Sequence, residues 1–334
     1  MEVDDTQNSC GGGDMFDSDT EYSSDEENAS RPPERRRLNI ENDYRYNSLR
    51  NFPHIFPTIT GFTLEQFDRS LFPAVESVIQ PNGSGRGPKK KLCAKSTLIM
   101  ILYYLRRGLF FFDIASHFGI TEASSQRIIK TTIPIIAPIF AQHICWKNWF
   151  EQEVHISDTI EPKLWNVVGI VDATEIMRPS GSDAQRPYFS GKKKMHTMKF
   201  QIVIQPINGR IMHIFGPKSG AIHDITLFDM SGVSSLLLRR EYILGDSGYQ
   251  GLEARNVRCL VPRKKPRGKE RPQQDRIYNS ALGRHRVLVE NIFARLKNWR
   301  IIENKWRGHV SQPEHFSRVF QLCAAFTNMQ IALS

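Results

Sequence analysis

Three acidic residues stand where their chemistry would be usable. Asp172 follows the apolar run Val167-Val168-Gly169-Ile170-Val171, Asp246 follows Tyr242-Ile243-Leu244-Gly245, and Glu290 lies in the middle of a helical stretch from Arg286 to Lys297. A short buried strand that stops at a carboxylate presents it at the sheet edge, where clefts form. Two such strands side by side, with one acid from a packed helix, would bring three like charges into one pocket. Their mutual repulsion calls for divalent cations. That is the ligand set of a two-metal phosphodiester enzyme.

The rest of the chain must position those acids. Its 334 residues leave room for two domains and a tail, and a hydrophobic content of 40% supports real cores. The formal charge of +10 is uneven: residues 1–30 hold ten acids and no Lys or Arg, so the remainder carries +20. A basic body behind an acidic tail fits a polyanionic partner, with a solvated basic surface as the plainer alternative. The five cysteines, Cys10, Cys93, Cys145, Cys259 and Cys323, are scattered and have no metal-ligand spacing. This fits a reducing compartment and argues against a zinc module. The polar N-terminus does not read as a signal peptide. No apolar run approaches the roughly 18–20 residues of a membrane span. A cytosolic or nuclear location is expected, with no membrane partner.

Composition marks residues 1–50 as a disordered acidic tail that turns basic at Arg35-Arg36-Arg37. Residues 51–150 read as a helical, DNA-binding region. Phe62, Leu64, Phe67, Leu71 and Phe72 recur at helical spacing, a Gly- and Lys-rich loop covers Pro81–Lys91, and Leu98, Ile99, Ile101, Leu102 and Leu105 mark an apolar helix. A helix-turn-helix is expected at about 113–129. Ile114, Ala115 and Phe118 pack the first helix, Gly119 makes the turn, and Thr121 caps the second. Ser124, Ser125, Gln126 and Arg127 would then be exposed for phosphate or base contact, although Ser125 falls where an apolar residue is usual. An ordinary helical hairpin is the alternative.

Strand patterns take over from about residue 160. Trp165–Asp172 comes first. Lys199–Gln205 and Arg210–Phe215 flank Asn208-Gly209, which reads as a two-residue hairpin turn. A helix begins in His223–Val233, and Tyr242–Asp246 is the next strand. Strand, hairpin, helix, strand is the order expected of a mixed α/β sheet with a crossover connection, flanked by helices. Residues 255–310 hold sixteen Lys or Arg against four acids, including Lys264 and Lys265 in a Pro- and Gly-rich loop. A final core helix at about 312–333 opens with Ser311-Gln312-Pro313-Glu314.

Asp172-Ala173-Thr174, Gly245-Asp246-Ser247-Gly248-Tyr249 and the spacing Arg286-x3-Glu290-x6-Lys297 together resemble the DDE transposases. They are most similar to the Harbinger (PIF) enzymes and the related bacterial insertion-sequence enzymes. Lys218-Ser219-Gly220-Ala221-Ile222-His223-Asp224 resembles the family's Gly-Ser-x-x-Asp stretch. The resemblance implies a ribonuclease-H-like catalytic domain over 160–334, with Asp172, Asp246 and Glu290 catalytic and two Mg²⁺ or Mn²⁺ ions per site. It adds Asp224 as a fourth metal ligand, with helix capping as the other use of that residue. Arg286 and Lys297 would hold phosphates, unless Arg286 is spent on an ion pair with Glu290. Lys192, Lys193 and Lys194, with His196, would grip the DNA backbone or be plain surface. The partners implied are double-stranded DNA and a Myb-like protein, in the nucleus. The sequence is compatible with a homodimer.

This chain departs from the pattern at Gly283, where bacterial relatives often carry Tyr, and at Ala173, where Gly is frequent. A transposase-derived nuclear protein that binds DNA without cutting is the main alternative, and a structure-selective repair nuclease is a third. Gly245-Asp246-Ser247-Gly248 also resembles a serine-protease nucleophile segment, but Tyr249 replaces the expected Gly and paired cystines are not in evidence.

Overall fold

The computed structural model describes residues 44–79, 92–148, 151, 166–178, 188–265, 267–307 and 312–333. The acidic stretch with Arg35–Arg37, the Pro81–Lys91 loop, Trp165, Ser311 and most of the expected domain boundary lie outside them. Residues 39–334 belong to one compact unit.

The helical region comprises α1 (Tyr46–Leu49), α2 (Phe56–Thr60), α3 (Leu64–Gln66), a π turn at Phe67–Leu71, α4 (Phe72–Ile79), α5 (Ala94–Arg107), α6 (Phe111–Phe118) and α7 (Glu122–Ala141). Tyr44–Arg50, counted with the tail by composition, are folded. Tyr44 stacks on His117, and the Tyr46 hydroxyl donates to Asp68 at 2.8 Å. Helix α3 starts at a capping box between Thr63 and Gln66. The apolar run of α5 is buried from Leu98 to Leu105.

The expected helix-turn-helix is formed by α6 and α7. Gly119 ends α6 at φ +61°, and the Thr121 hydroxyl accepts the Ser124 amide to start α7. Ser125 corrects the sequence reading. It is fully buried, because its hydroxyl donates to the carbonyls of Phe111 and Glu122 and so ties the two helices together. Gln126 is half-buried and Arg127 exposed.

The sheet strands are β1 (Val167–Met177), β2 (Phe189–Ser190), β3 (Met195–Ile204) and β4 (Ile211–Ser219). Next come α8 (Asp224–Ser231), α9 (Val233–Leu236), β5 (Tyr242–Leu244), β6 (Cys259–Leu260), α10 (Gln273–Lys297), α11 (Arg300–Glu303) and α12 (Pro313–Leu333). Strand β3 pairs antiparallel with β1 and β4, while β1, β5 and β6 run parallel to one another. This is the ribonuclease-H-like arrangement: a three-strand meander extended by parallel strands after a crossover helix. Gly169 allows the close packing at its centre, since a Cβ there would meet Val203 Cγ1 at 2.5 Å.

Two sequence expectations are corrected here. Strand β1 does not stop at Asp172. It runs on to Met177, because β3 continues to pair with it through Met177↔Thr197. Asn208-Gly209 is not a two-residue turn either. The closing pair is Gln205 and Arg210, with Gly209 at φ +72° donating its amide to the Gln205 carbonyl, so the loop has four residues. The helix expected to begin in His223–Val233 is present as α8, and beyond Gly232, φ +74°, the crossover continues as α9.

Hydrophobic packing joins the helical region to one face of the sheet in a continuous core. Helix α12 is the link. Phe320 stacks on Phe200 of β3 at 4.0 Å, and Phe326 meets Phe140 of α7. Buried Asn328 satisfies its amide on both backbone groups of Ile211 and on the His143 carbonyl. A second, smaller core lies under α8, around Phe228 and Tyr249.

Candidate active site

Strand register brings two of the acids together. Ile170 of β1 is level with Leu244 of β5, and two residues further on Asp246 comes near enough to Asp172 for its charge to act on that carboxyl. Parallel neighbours lie about 4.8 Å apart. Because β5 ends at Leu244, the side of β1 beyond Ile170 opens into a notch. Asp246 turns the chain there: its Oδ1 accepts the Gly248 amide at 2.8 Å and caps the short turn Ser247–Tyr249.

Asp224 enters the same notch from the first turn of α8. A Cβ on Gly248 would stand 2.6 Å from Asp224 Oδ2 and 2.9 Å from Asp246 Oδ1. Glycine leaves the room in which the two carboxylate ends close in. Asp224 is not the helix cap, a position held by His223.

The notch is electrostatically loaded. Burial pushes the Asp172 carboxyl from the usual 3.8 up to about 6, and Asp246 and Asp224 add to the rise. The Ala173 amide, donating at 2.7 Å, and the Arg286 guanidinium pull the other way. Burial, with the fields of the three aspartates, also raises the hydroxyl of the buried Tyr249. The sign of the resulting pH effect follows. The folded protein holds the Asp172 proton more tightly than the unfolded chain, so this carboxyl costs stability as pH rises through 4 to 6. The ceiling is about 3 kcal/mol, and the water reaching a half-buried group lowers it to ~1–2 kcal/mol. In chelator, Asp172→Asn should therefore raise Tm at pH 8 and leave it nearly unchanged at pH 4. A stabilisation equal at both pH values would contradict this picture.

A buried cation faces the acids. Lys199, 8% exposed, sits on β3 and donates to the Ile222 carbonyl at 2.7 Å and to Asp224 Oδ1 at 3.2 Å, with Glu175 Oε1 at 3.8 Å. Glu175 in turn accepts the Thr197 hydroxyl at 2.7 Å. Lys199 and Glu175 were not singled out from the sequence. The available signal was a lysine on the inward side of an alternating strand.

Helix α10 supplies Arg286 to the field at Asp172, and Glu290 is not among the charges that shift that carboxyl. Val289, Ile292 and Leu296 are the buried side of the helix. Glu290 is exposed and makes no hydrogen bond or ion pair with the described residues. An ion pair between Arg286 and Glu290 is likewise absent among the described residues. No three His, Cys, Asp or Glu side chains among the described residues stand close enough to hold one metal ion as they are placed. In donor chemistry the site does fit a hard divalent cation: carboxylate oxygens, a desolvated acid, and a glycine that clears the space between two of them.

The expected DNA-contacting residues fall in separate places. Lys193 and Lys297 line one cleft of about 220 Å³ along the far half of β1, with Thr174 and Glu175. Lys192 and Lys194 are exposed in the same turn between β2 and β3, Lys264 and Lys265 are exposed on the loop before α10, and Gln126 and Arg127 lie on α7.

A ribonuclease-H-like sheet with acids at a strand notch, in one unit with a helix-turn-helix, defines a class of nucleic-acid-processing folds. Residues 171–328 match the family of DDE superfamily endonucleases, and residues 90–140 match the helix-turn-helix of DDE superfamily endonuclease. A probable transposase for insertion sequence element IS702 from Microchaete diplosiphon is 31% identical over 250 residues, covering 74% of this chain and 84% of that protein. A putative transposase for insertion sequence element IS112 from Streptomyces albus G is 22% identical over 259 residues, covering 75% and 87%. The chain belongs to the DDE superfamily endonucleases, alongside these insertion-sequence transposases.

Proposed function

We propose that this protein cuts and joins DNA phosphodiester bonds at the notch between β1 and β5, with Asp172, Asp224 and Asp246 holding Mg²⁺ or Mn²⁺. The observation that carries this is the convergence of two carboxylates on Gly248 beside a desolvated Asp172. Two bound cations would supply activation of the attacking oxygen and neutralisation of the leaving one. Arg286, whose charge acts on Asp172, would hold the scissile phosphate, and Lys193 and Lys297, which line the adjoining cleft, would hold its flank. Lys192, Lys194, Lys264, Lys265, Gln126 and Arg127 would extend the contact along double-stranded DNA. Glu290 would complete the ligand set through a shift of α10 or of its own side chain.

The proposal extends to the Harbinger branch, supported by Gly283 and by the Lys218–Asp224 segment. With it come a nuclear location, a Myb-like partner and a homodimer. The test is strand cleavage that requires Mg²⁺ or Mn²⁺ and disappears in Asp246→Asn while DNA binding survives. One observation favours the second reading, a DNA-binding protein that does not cut: no three acids among the described residues stand together as a metal-holding group, and Glu290 is exposed. Binding equally tight in chelator, with no cutting under any divalent ion, would select it.

A further inference from the structure

Four cations share one cleft with no acid bonded to them. Arg106 and Arg107 end α5, Lys297 ends α10, and Arg300 opens α11. Together they line a cleft of about 650 Å³ in which Glu303 is the only acid. None of the four forms an ion pair among the described residues. Arg106 lies over the Trp299 ring at 5.7 Å, and its guanidinium pKa is lowered by burial and by the charges of Arg107 and Arg300. Like charges held together this way raise the free energy of the protein unless an anion joins them.

The cluster is built into the fold. Gly108 follows Arg107 at φ +58°, and a Cβ there would lie 2.9 Å from the carbonyl of Arg300. The backbone of α11 therefore packs directly on the turn that ends α5, fixing Arg106 and Arg107 across one gap from Arg300. Lys297 and Glu303 also line the adjacent cleft with Thr174, two residues beyond Asp172 on β1. The cleft thus starts in the segment matched to the helix-turn-helix model and runs toward the aspartates.

We infer that this cleft is a binding site for the phosphodiester backbone of DNA, seating the duplex between the helix-turn-helix and the aspartate notch. This rests on the reading that the chain acts on DNA, and it assigns Arg106, Arg107 and Arg300 to that contact.

The test is the affinity for a short duplex in chelator, by fluorescence anisotropy, between about 50 and 200 mM salt. Each lost phosphate contact should lower the log–log salt slope by about 0.9. Arg107→Gln/Arg300→Gln should therefore flatten the slope by about 2 and weaken binding at least ~10-fold at the lower salt. Arg107→Lys/Arg300→Lys, which keeps the charge, should retain the slope. The comparison is Arg239→Gln/Arg240→Gln, an equal loss of exposed charge at the end of β5 away from Asp246, which should leave the slope unchanged. An unchanged slope in the first variant overturns the inference, and so does an equal loss in the comparison variant, since that would indicate only the general positive field. Failure of the cleavage reading is seen separately: unmodified protein that binds through the cleft but never cuts.

Discussion

Asp246→Asn should lower strand cleavage by at least about 10³-fold, roughly 4 kcal/mol of transition-state stabilisation, with DNA affinity held within a few-fold. The substitution is nearly isosteric. The side-chain oxygen of Asn still accepts the Gly248 amide, so the turn Ser247–Tyr249 that closes the notch keeps its cap. What changes is charge. Asp246 and Asp224 meet across Gly248, and removing one of them takes away a negative donor from the position where two carboxylates converge. DNA affinity should hold or rise slightly, because the notch becomes less repulsive to phosphate. Cleavage that stays within tenfold of the unmodified protein would place the chemistry elsewhere.

The approach of Asp172 to Asp246 was legible for a physical reason. A carboxylate directly after an apolar strand run has few places to go, and parallel pairing with Ile170 level with Leu244 makes Asp172 and Asp246 neighbours. Glu290 was not positioned by the same logic. On a helix the sequence sets the apolar face, here Val289, Ile292 and Leu296, but the rotation of the helix against the sheet depends on tertiary packing. In this fold Leu288 and Ile292 seat against Gly209 of the hairpin loop, which leaves Glu290 at the solvent side and brings Arg286 toward Asp172.

The misread local details share a cause. Ser125 looked exposed because its type is polar, yet two carbonyls satisfy its hydroxyl inside the helix-turn-helix. Asn208-Gly209 carried a hairpin signal, but Arg210 closes on Gln205, two residues before the Ile207 that a two-residue turn would use. In each case a long-range or backbone partner invisible in the local pattern decided the outcome. The basic residues show the same limit. Charge density was evident in 255–310, whereas the meeting of Arg106 and Arg107 with Arg300 required the packing of α5 on α11.

Lys199→Met should destabilise the protein by about 3 kcal/mol, lowering Tm by about 5 °C or more. A buried lysine is retained only when its charge is matched, and here the match is Asp224, Glu175 and the Ile222 carbonyl. Removing the cation leaves the Glu175 side chain, only 7% accessible, with the Thr197 hydroxyl as its remaining partner. The cost comes mainly from that stranded charge rather than from the lost attraction, because an exposed pair would contribute far less. It follows that the loss should be largely reversed by neutralising the acid as well. Lys199→Met/Glu175→Gln should recover at least ~1 kcal/mol over the single variant in a double-mutant cycle measured by urea unfolding. Strict additivity of the two substitutions would mean that Lys199 is not coupled to Glu175 and acts through Asp224 and the Ile222 carbonyl instead. The same cycle with Asp224→Asn should show weaker coupling, since the Asp224 side chain is 26% accessible and water already shares its charge.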